Sequence, residues 1–206
     1  MRSGRRPFVL EDGSNKIGNY MSWLRRLLGP RGAGNGLARW RDAWSEVAAR
    51  PVGADAASVR DLRAQLEQLH ASDDDLEIER EMLEGLAHLV QFASTVVEHG
   101  LPAISTGHRV VGTDVCHFSA PASMPDDPSQ PSGRLLLTHA RAVFVGGARG
   151  VTVPWHAVAR ALHTDRDLVL VRVDGEALYR FRCNSFEDVL RAAFIARRLA
   201  AERKRR

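Results

Sequence analysis

Cysteine, lysine and long apolar runs are scarce in this sequence of 206 residues. Its two cysteines, Cys116 and Cys183, are too few to form a disulfide framework. The longest apolar stretch, from Leu86 to Ile104, contains two histidines, a glutamate and a proline, which excludes a membrane-spanning helix. No secretory signal is recognisable near the start of the chain. We therefore expect a soluble protein with reduced thiols in the cytoplasm.

Lysine occurs only as Lys16 and Lys204, so arginine supplies nearly all of the positive charge. Together with abundant alanine and glycine, this indicates the coding bias of a high-GC bacterium. The formal net charge is +4, with +6 on residues 1–50, −8 on residues 51–100 and +6 on residues 101–206. An acidic middle between basic ends favours contact within the chain or within a homodimer over a continuous nucleic-acid surface. We therefore do not expect nucleic acid as a partner.

The composition allows a hydrophobic core, since 44% of the residues are hydrophobic and 26% are charged. Residues 1–36 begin without hydrophobic periodicity and end in a glycine-rich stretch, which predicts a disordered or flexible segment. Met21 opens a more protein-like run and is an alternative start of the chain to Met1. Residues 37–104 predict a helical region, residues 105–203 a sheet-bearing domain and residues 204–206 a basic tail.

Helical spacing and helix-ending residues predict three helices in residues 37–104. Trp40 and Trp44 lie one turn apart in a segment that Pro51 ends. Residues 55–70 and 74–99 each carry an apolar stripe at helical spacing. We expect the last two helices to form an antiparallel hairpin that dimerises or holds a partner helix.

Short apolar runs separated by turn residues predict strands in the second half of the chain. The runs are residues 108–118, 134–138, 142–146, 151–155, 167–173 and 177–183. Residues 119–133 hold four prolines and predict a long exposed loop. Ser185 and Asp188 form a capping box at the start of a final amphipathic helix. The order indicates an α+β fold: an N-terminal helical hairpin region, then a curled antiparallel sheet capped by a C-terminal helix.

Two runs of the predicted strand series resemble a known family. They are Gly133-Arg-Leu-Leu-Leu-Thr-His-Ala-Arg-Ala-Val-Phe-Val-Gly-Gly147 and Val153-Pro-Trp-His-Ala-Val158. Both are similar to runs of bacterial pleckstrin-homology-like (PH-like) and GRAM-like domains, and the resemblance covers about residues 108–203. It implies a binding module, because some members of the family bind phosphoinositides and many bind proteins.

The resemblance points to a protein rather than a lipid as the partner. A phosphoinositide-binding member is expected to carry a basic cluster in the first strand pair and its loop. Here that loop holds Asp126 and Asp127 and no lysine or arginine. We therefore expect a non-enzymatic interaction module that binds a protein partner through an apolar rim and an exposed sheet edge.

Five residues are the candidate binding residues of this module. Arg109, Arg141 and Arg149 would gather on one rim of the sheet and orient the partner. Phe144 and Trp155 have two interpretations, namely packing in the core, which we favour, or lining a groove beside the sheet edge.

Side chains of metal-ligand type are present at Cys116, His117, His139, His156, His163 and Cys183. The cysteines lack the close spacing of a zinc site, and buried free thiols are common in cores, so we expect packing. The sequence has no Gly-x-Ser-x-Gly motif, and neither cysteine lies at an evident helix start that would lower its pKa. The glycine-rich run at residues 146–150 lies between strands and predicts a turn rather than a phosphate cradle. We expect no catalytic residue, no metal and no cofactor, and therefore not an enzyme.

A membrane surface is the alternative partner. Trp23, Leu24, Leu27 and Leu28, with Arg25 and Arg26 between them, would form a short amphipathic foot on acidic lipid. The basic C-terminus, Arg203-Lys-Arg-Arg206, would add electrostatic attraction. In this alternative the chain is a peripheral protein on the inner face of the membrane.

Overall fold

Helices precede and follow an antiparallel sheet in the computed structural model of this chain. The structure describes residues 35–50, 55–69, 76–146, 150–172 and 174–204. The helices are α1 (Asn35–Ala48), α2 (Ala56–Glu67), α3 (Glu77–His99) and α4 (Phe186–Lys204). The strands are β1 (Cys116–Ser123), β2 (Ser132–Thr138), β3 (Arg141–Gly146), β4 (Val151–Pro154), β5 (Arg160–Thr164), β6 (Asp167–Val171) and β7 (Ala177–Cys183). The predicted α+β class, with helices, then an antiparallel sheet, then a C-terminal helix, is confirmed.

The seven strands form one curled sheet in the order β4-β3-β2-β1-β7-β6-β5. Every neighbouring pair is antiparallel. In β2 and β3, Leu135 faces Phe144 and Leu136 faces Val143. Because side chains alternate between the faces of a strand, these two pairs lie on opposite sides of the sheet. Leu135 and Phe144 belong to the main core, while Leu136 and Val143 belong to a smaller cluster on the outer face.

The loop predicted over the proline-rich residues 119–133 is shorter in the structure. Strand β1 continues to Ser123 and β2 begins at Ser132, so only residues 124–131 connect them. Phe118, Ala120 and Ala122 are buried at alternate positions of β1. Pro121 is exposed between them, in a part of β1 that does not yet pair with β7. A proline at such a position is compatible with a strand because no second ladder requires its N–H group.

The two tryptophans of α1 connect this helix to its neighbours. The Trp40 indole N–H donates to the Leu62 carbonyl oxygen (2.7 Å), and the Trp44 indole N–H donates to the Met82 carbonyl oxygen (2.8 Å). Both side chains are 2% exposed, so these hydrogen bonds satisfy the only polar atom of each buried ring. The Trp44 ring also meets the Phe186 ring edge-on, with centroids 5.7 Å apart. Helix α1 therefore contacts α2, α3 and the start of α4.

Helix α3 and the start of α4 form a close contact around Gly85 and Glu81. The Glu81 carboxylate accepts the backbone N–H of Phe186 (3.1 Å) and forms an ion pair with Arg166. Phe186 lies within the predicted capping box, in which Ser185 Oγ accepts the Asp188 N–H at 3.1 Å. Glu81 thus supplies a second acceptor for the N-terminal N–H groups of α4. The helices and the sheet share one hydrophobic core, and residues 33–206 form one compact unit.

Ion pairs connect the acidic residues 51–100 to basic residues elsewhere in the chain. Glu79, which is 1% exposed, pairs with Arg41, and Glu81 pairs with Arg166. Contact within the chain, one of the two arrangements expected from the charge pattern, is thereby observed. Residues 74 and 75, the predicted start of the helix over residues 74–99, lie outside the described residues. None of the helices in the described residues is both long and apolar enough to cross a membrane.

Gly85→Ala should destabilise the protein, although alanine is the better helix former. An added Cβ would lie 2.8 Å from the Glu187 backbone nitrogen and 3.0 Å from the Phe186 carbonyl carbon. We expect a loss of about 1–3 kcal/mol in the free energy of unfolding, measured by urea denaturation. Gly107→Ala is the control, because no atom lies within 4 Å of its Cβ position. Equal stabilities for the two variants would contradict the close contact.

His163 should make the protein sensitive to acid. Burial, with the charge of Arg197 nearby, lowers the pKa of His163 from 6.5 to about 3. The folded protein then binds fewer protons than the unfolded chain, so stability decreases as the pH falls from about 6.5 towards 3. The slope from this residue approaches about 1.4 kcal/mol per pH unit.

The measurement is urea denaturation of wild type and His163→Gln at pH 7, 5.5 and 4.5. We expect the variant to lose less stability on acidification than wild type. His99→Gln, at an exposed histidine, is the control and should retain the wild-type slope. Identical slopes for wild type and His163→Gln would show that His163 is not the acid-sensitive group.

Candidate binding surface

Residues 104–115 lie against the outer face of the sheet, and we name them the rim segment. At its ends, Ile104 N–H donates to the Cys116 carbonyl oxygen (2.7 Å), and His139 N–H donates to the Val115 carbonyl oxygen (2.8 Å). Between these ends, Val111 is buried in the outer cluster with Cys116, Leu136 and Val143. The rim segment is therefore held to the sheet by backbone hydrogen bonds and one buried side chain.

The predicted strand over residues 108–118 is wrong for most of its length. Arg109–Val111 form a short 3-10 turn, and β1 begins only at Cys116. Gly112 has a φ of +61°, a conformation that glycine adopts without strain, so the chain turns there instead of continuing as a strand. Gly112 ends this turn.

Exposed apolar side chains are concentrated in the rim segment. Across the described residues, the exposed large hydrophobic side chains are Ile78, Val97, Ile104, Val110 and Val115. Three of these five lie in the rim segment, where Ile104 is 39% exposed and Val110 and Val115 are each 45% exposed. In the sequence, Val110 and Val115 resemble core residues, because both lie within or beside a run with strand character. Val110 is exposed because it lies in the turn at residues 109–112.

Two of the three predicted arginines meet at the rim segment. The Arg141 guanidinium donates from Nη2 to the Val110 carbonyl oxygen at 3.2 Å. Arg109 precedes Val110 in the chain and is exposed. The structure therefore brings Arg109 and Arg141 to one surface, together with the exposed Val110 side chain. Arg149 lies outside the described residues.

Asp114 braces the rim segment against the turn between β2 and β3. Its carboxylate accepts the N–H groups of Ala140 (3.1 Å) and Val115 (3.0 Å). Burial acts to raise the pKa of Asp114, but hydrogen bonds from Thr138, Ala140 and Val115, and the nearby Arg141 charge, lower it overall. The carboxylate is therefore ionised at neutral pH and engaged with backbone donors.

Phe144 and Trp155 are fully buried, with 0% of each residue exposed. The Trp155 indole N–H donates to the Thr138 carbonyl oxygen at 2.8 Å, and the Phe144 ring stacks on Phe181 with centroids 5.9 Å apart. These positions agree with the core-packing interpretation. A binding role for the two rings has no accessible surface to act through in this structure.

The His117 and His139 rings meet edge-on with centroids 6.1 Å apart, but the cysteine and histidine side chains of the described residues do not form one cluster. Burial raises the pKa of Cys116, whose Sγ donates to the Phe118 carbonyl oxygen, and burial raises the pKa of Cys183 to about 12. Both thiols are therefore protonated at neutral pH, whereas nucleophilic attack and metal binding require the thiolate. Among the described residues, no group of three or more His, Cys, Asp or Glu side chains is arranged to hold a metal ion.

The two edges of the sheet are β4 and β5. The Trp155 backbone N–H donates to the Ala140 carbonyl oxygen. Because hydrogen-bonded and non-hydrogen-bonded residues alternate along an antiparallel pair, the backbone groups of Thr152 and Pro154 point away from β3. Because proline has no N–H, the free edge of β4 offers few donors to an added strand. At the β5 edge, the Arg197 side chain of α4 donates to the Ala161 carbonyl oxygen at 2.9 Å. Both edges are therefore poor templates for strand addition.

No protein-family model matches this chain, and no curated protein is significantly similar to it. The candidate site consequently rests on the geometry of the rim segment and Arg141. The predicted membrane foot, namely Trp23, Leu24, Arg25, Arg26, Leu27 and Leu28, lies outside the described residues.

Asp114→Asn should loosen the rim segment. An asparagine keeps one acceptor oxygen but loses the negative charge and one of the two acceptors, so an N–H of Ala140 or Val115 loses its partner. We expect a loss of about 1–2 kcal/mol in the free energy of unfolding at pH 7. Hydrogen exchange should also show reduced protection of these two amides.

The control for this change is Asp165→Asn. Asp165 is exposed with a φ of +54°, a conformation that asparagine also tolerates. Its substitution should leave both the stability and the two amides unchanged. Full protection of Ala140 and Val115 in Asp114→Asn would rule out the bracing role.

Proposed function

We propose that the chain is a non-enzymatic interaction module in which a PH-like domain, residues 105–203, binds a protein partner. One observation carries the proposal: of the five exposed large hydrophobic side chains among the described residues, three lie in the rim segment, beside Arg109 and Arg141. Protein interfaces combine apolar anchors with arginine more often than other surfaces do. We define the binding surface as Ile104, Arg109, Val110, Val115 and Arg141.

The architecture supports the PH-like part of the proposal. A curled antiparallel sheet followed by a C-terminal helix is the arrangement that the resemblance implies, and β1 to β7 with α4 have this order. The helical region shares its core with the sheet on the side away from the rim segment. It therefore leaves the binding surface accessible while adding to the stability of the domain.

Side chains rather than strand addition provide the affinity. The free edge of β4 is four residues long and ends in Pro154, which limits backbone pairing with a partner. Val110, Val115 and Ile104 supply apolar area, and the arginines set the orientation of the partner. Because backbone hydrogen bonds already hold the rim segment, little conformational entropy is lost when the partner binds.

The experiment is a tagged pull-down from the native host at low and at moderate salt, with recovered proteins and lipids both identified. Three baits are compared: wild type, the double variant Val110→Asp/Val115→Asp, and the control Val97→Asp. Val97 is 76% exposed on α3, outside the rim segment. Urea denaturation of each bait verifies that it is folded.

We expect wild type and Val97→Asp to recover the same protein at both salt concentrations and the double variant to lose it. Equal recovery by all three baits would contradict the rim segment as the binding surface. Recovery of acidic lipid alone, lost at moderate salt and after deletion of residues 1–29, would instead support the peripheral membrane alternative.

A further inference from the structure

We propose that the binding surface recognises a protein segment that carries a carboxylate side chain next to an apolar one. This inference rests on the proposed function and specifies the chemistry of its partner.

Four arginines in the β5–β7 half of the sheet already have carboxylate partners. Arg166 pairs with Glu81, Arg172 with Asp174, Arg180 with Asp126 and Asp167, and Arg182 with Asp167. These pairs engage four guanidinium groups within the chain and so reduce the net charge that this half of the sheet presents to a partner. The exposed Arg160 at the start of β5 forms no ion pair with the described residues.

Arg109 and Arg141 differ from those arginines. Among the described residues, neither forms an ion pair with a carboxylate within 4 Å. The nearby acid is Asp114, whose oxygens accept the N–H groups of Ala140 and Val115. The surface therefore carries two guanidinium groups against one carboxylate that is already engaged. Its excess positive charge favours an acidic partner and disfavours a basic one.

The hydrogen bond from Arg141 to the Val110 carbonyl oxygen fixes the guanidinium beside an exposed valine. An arginine that is already ordered loses less conformational entropy when it binds a carboxylate, and its planar fork matches the two carboxylate oxygens. Val110 lies next to Arg109 in the chain, so an apolar contact and a charged contact adjoin. A partner segment with adjacent apolar and acidic side chains satisfies both contacts together.

The test is selection of random twelve-residue peptides displayed on phage against the full chain, followed by binding measurements with the best synthetic peptide. Fluorescence anisotropy gives the dissociation constant for wild type, Arg109→Glu and the control Arg160→Glu. Arg160 is an exposed arginine at the start of β5, the strand at the other edge of the sheet. Arg141→Gln is a second variant, which removes the charge without reversing it.

We expect the selected peptides to be enriched in Asp or Glu beside an apolar residue. Binding should weaken at least tenfold in Arg109→Glu and in Arg141→Gln, and less than twofold in Arg160→Glu. Replacing the acidic residue of the peptide with its amide should weaken binding to wild type by a similar factor and have little further effect in Arg109→Glu.

Three results would overturn the inference. Peptides that need Val110 and Val115 but neither arginine would refute acidic recognition and leave the proposed function standing. Displacement of the peptide by millimolar inorganic phosphate, dependent on Arg109, would show that the site is selective for phosphate rather than carboxylate. A selection that yields no peptide sensitive to Val110→Asp/Val115→Asp would contradict both the inference and the proposed function.

Discussion

The close approach of α3 to the start of α4 at Gly85 is the constraint on which the rest of the structure depends. It places the Glu81 carboxylate against the Phe186 N–H and beside Arg166, and so joins a helix of the N-terminal region to the sheet and the C-terminal helix. Trp44 then packs on Phe186 from α1. Through this contact, helices that would be marginal alone obtain a shared core.

The outer face of the sheet carries a cluster of buried side chains that is separate from the main core. In β2, Leu135 and Leu137 lie in the main core, while Leu136 lies in the outer cluster with Val111. The same strand therefore supports the fold with one set of side chains and positions the rim segment with the other. Such a division allows the side chains at the rim to change without loss of the core, which is the usual relation between a scaffold and its site.

Local sequence patterns predicted much of the fold. The capping box of Ser185 and Asp188 and the helical spacing of Trp40 and Trp44 depend on residues a few positions apart, so they could be recognised without tertiary information. The rim segment could not. Its valines match a strand pattern, and only the positive φ of Gly112 and the hydrogen bonds of Asp114 to residues on both sides turn the chain out of the sheet.

The sequence by itself determined that helices come first, an antiparallel sheet follows and a helix ends the fold, because hydrophobic periodicity, caps and turn residues act over short distances. It did not predict β5 (Arg160–Thr164). It also determined that arginine would carry the positive charge. Only the tertiary structure decided which arginines pair with carboxylates and which face outward, because Arg166 meets Glu81 across 85 positions of the chain while Arg141 meets a backbone carbonyl. It likewise buried Phe144 and Trp155 and exposed Val110 and Val115, since burial depends on what the rest of the chain places over a residue.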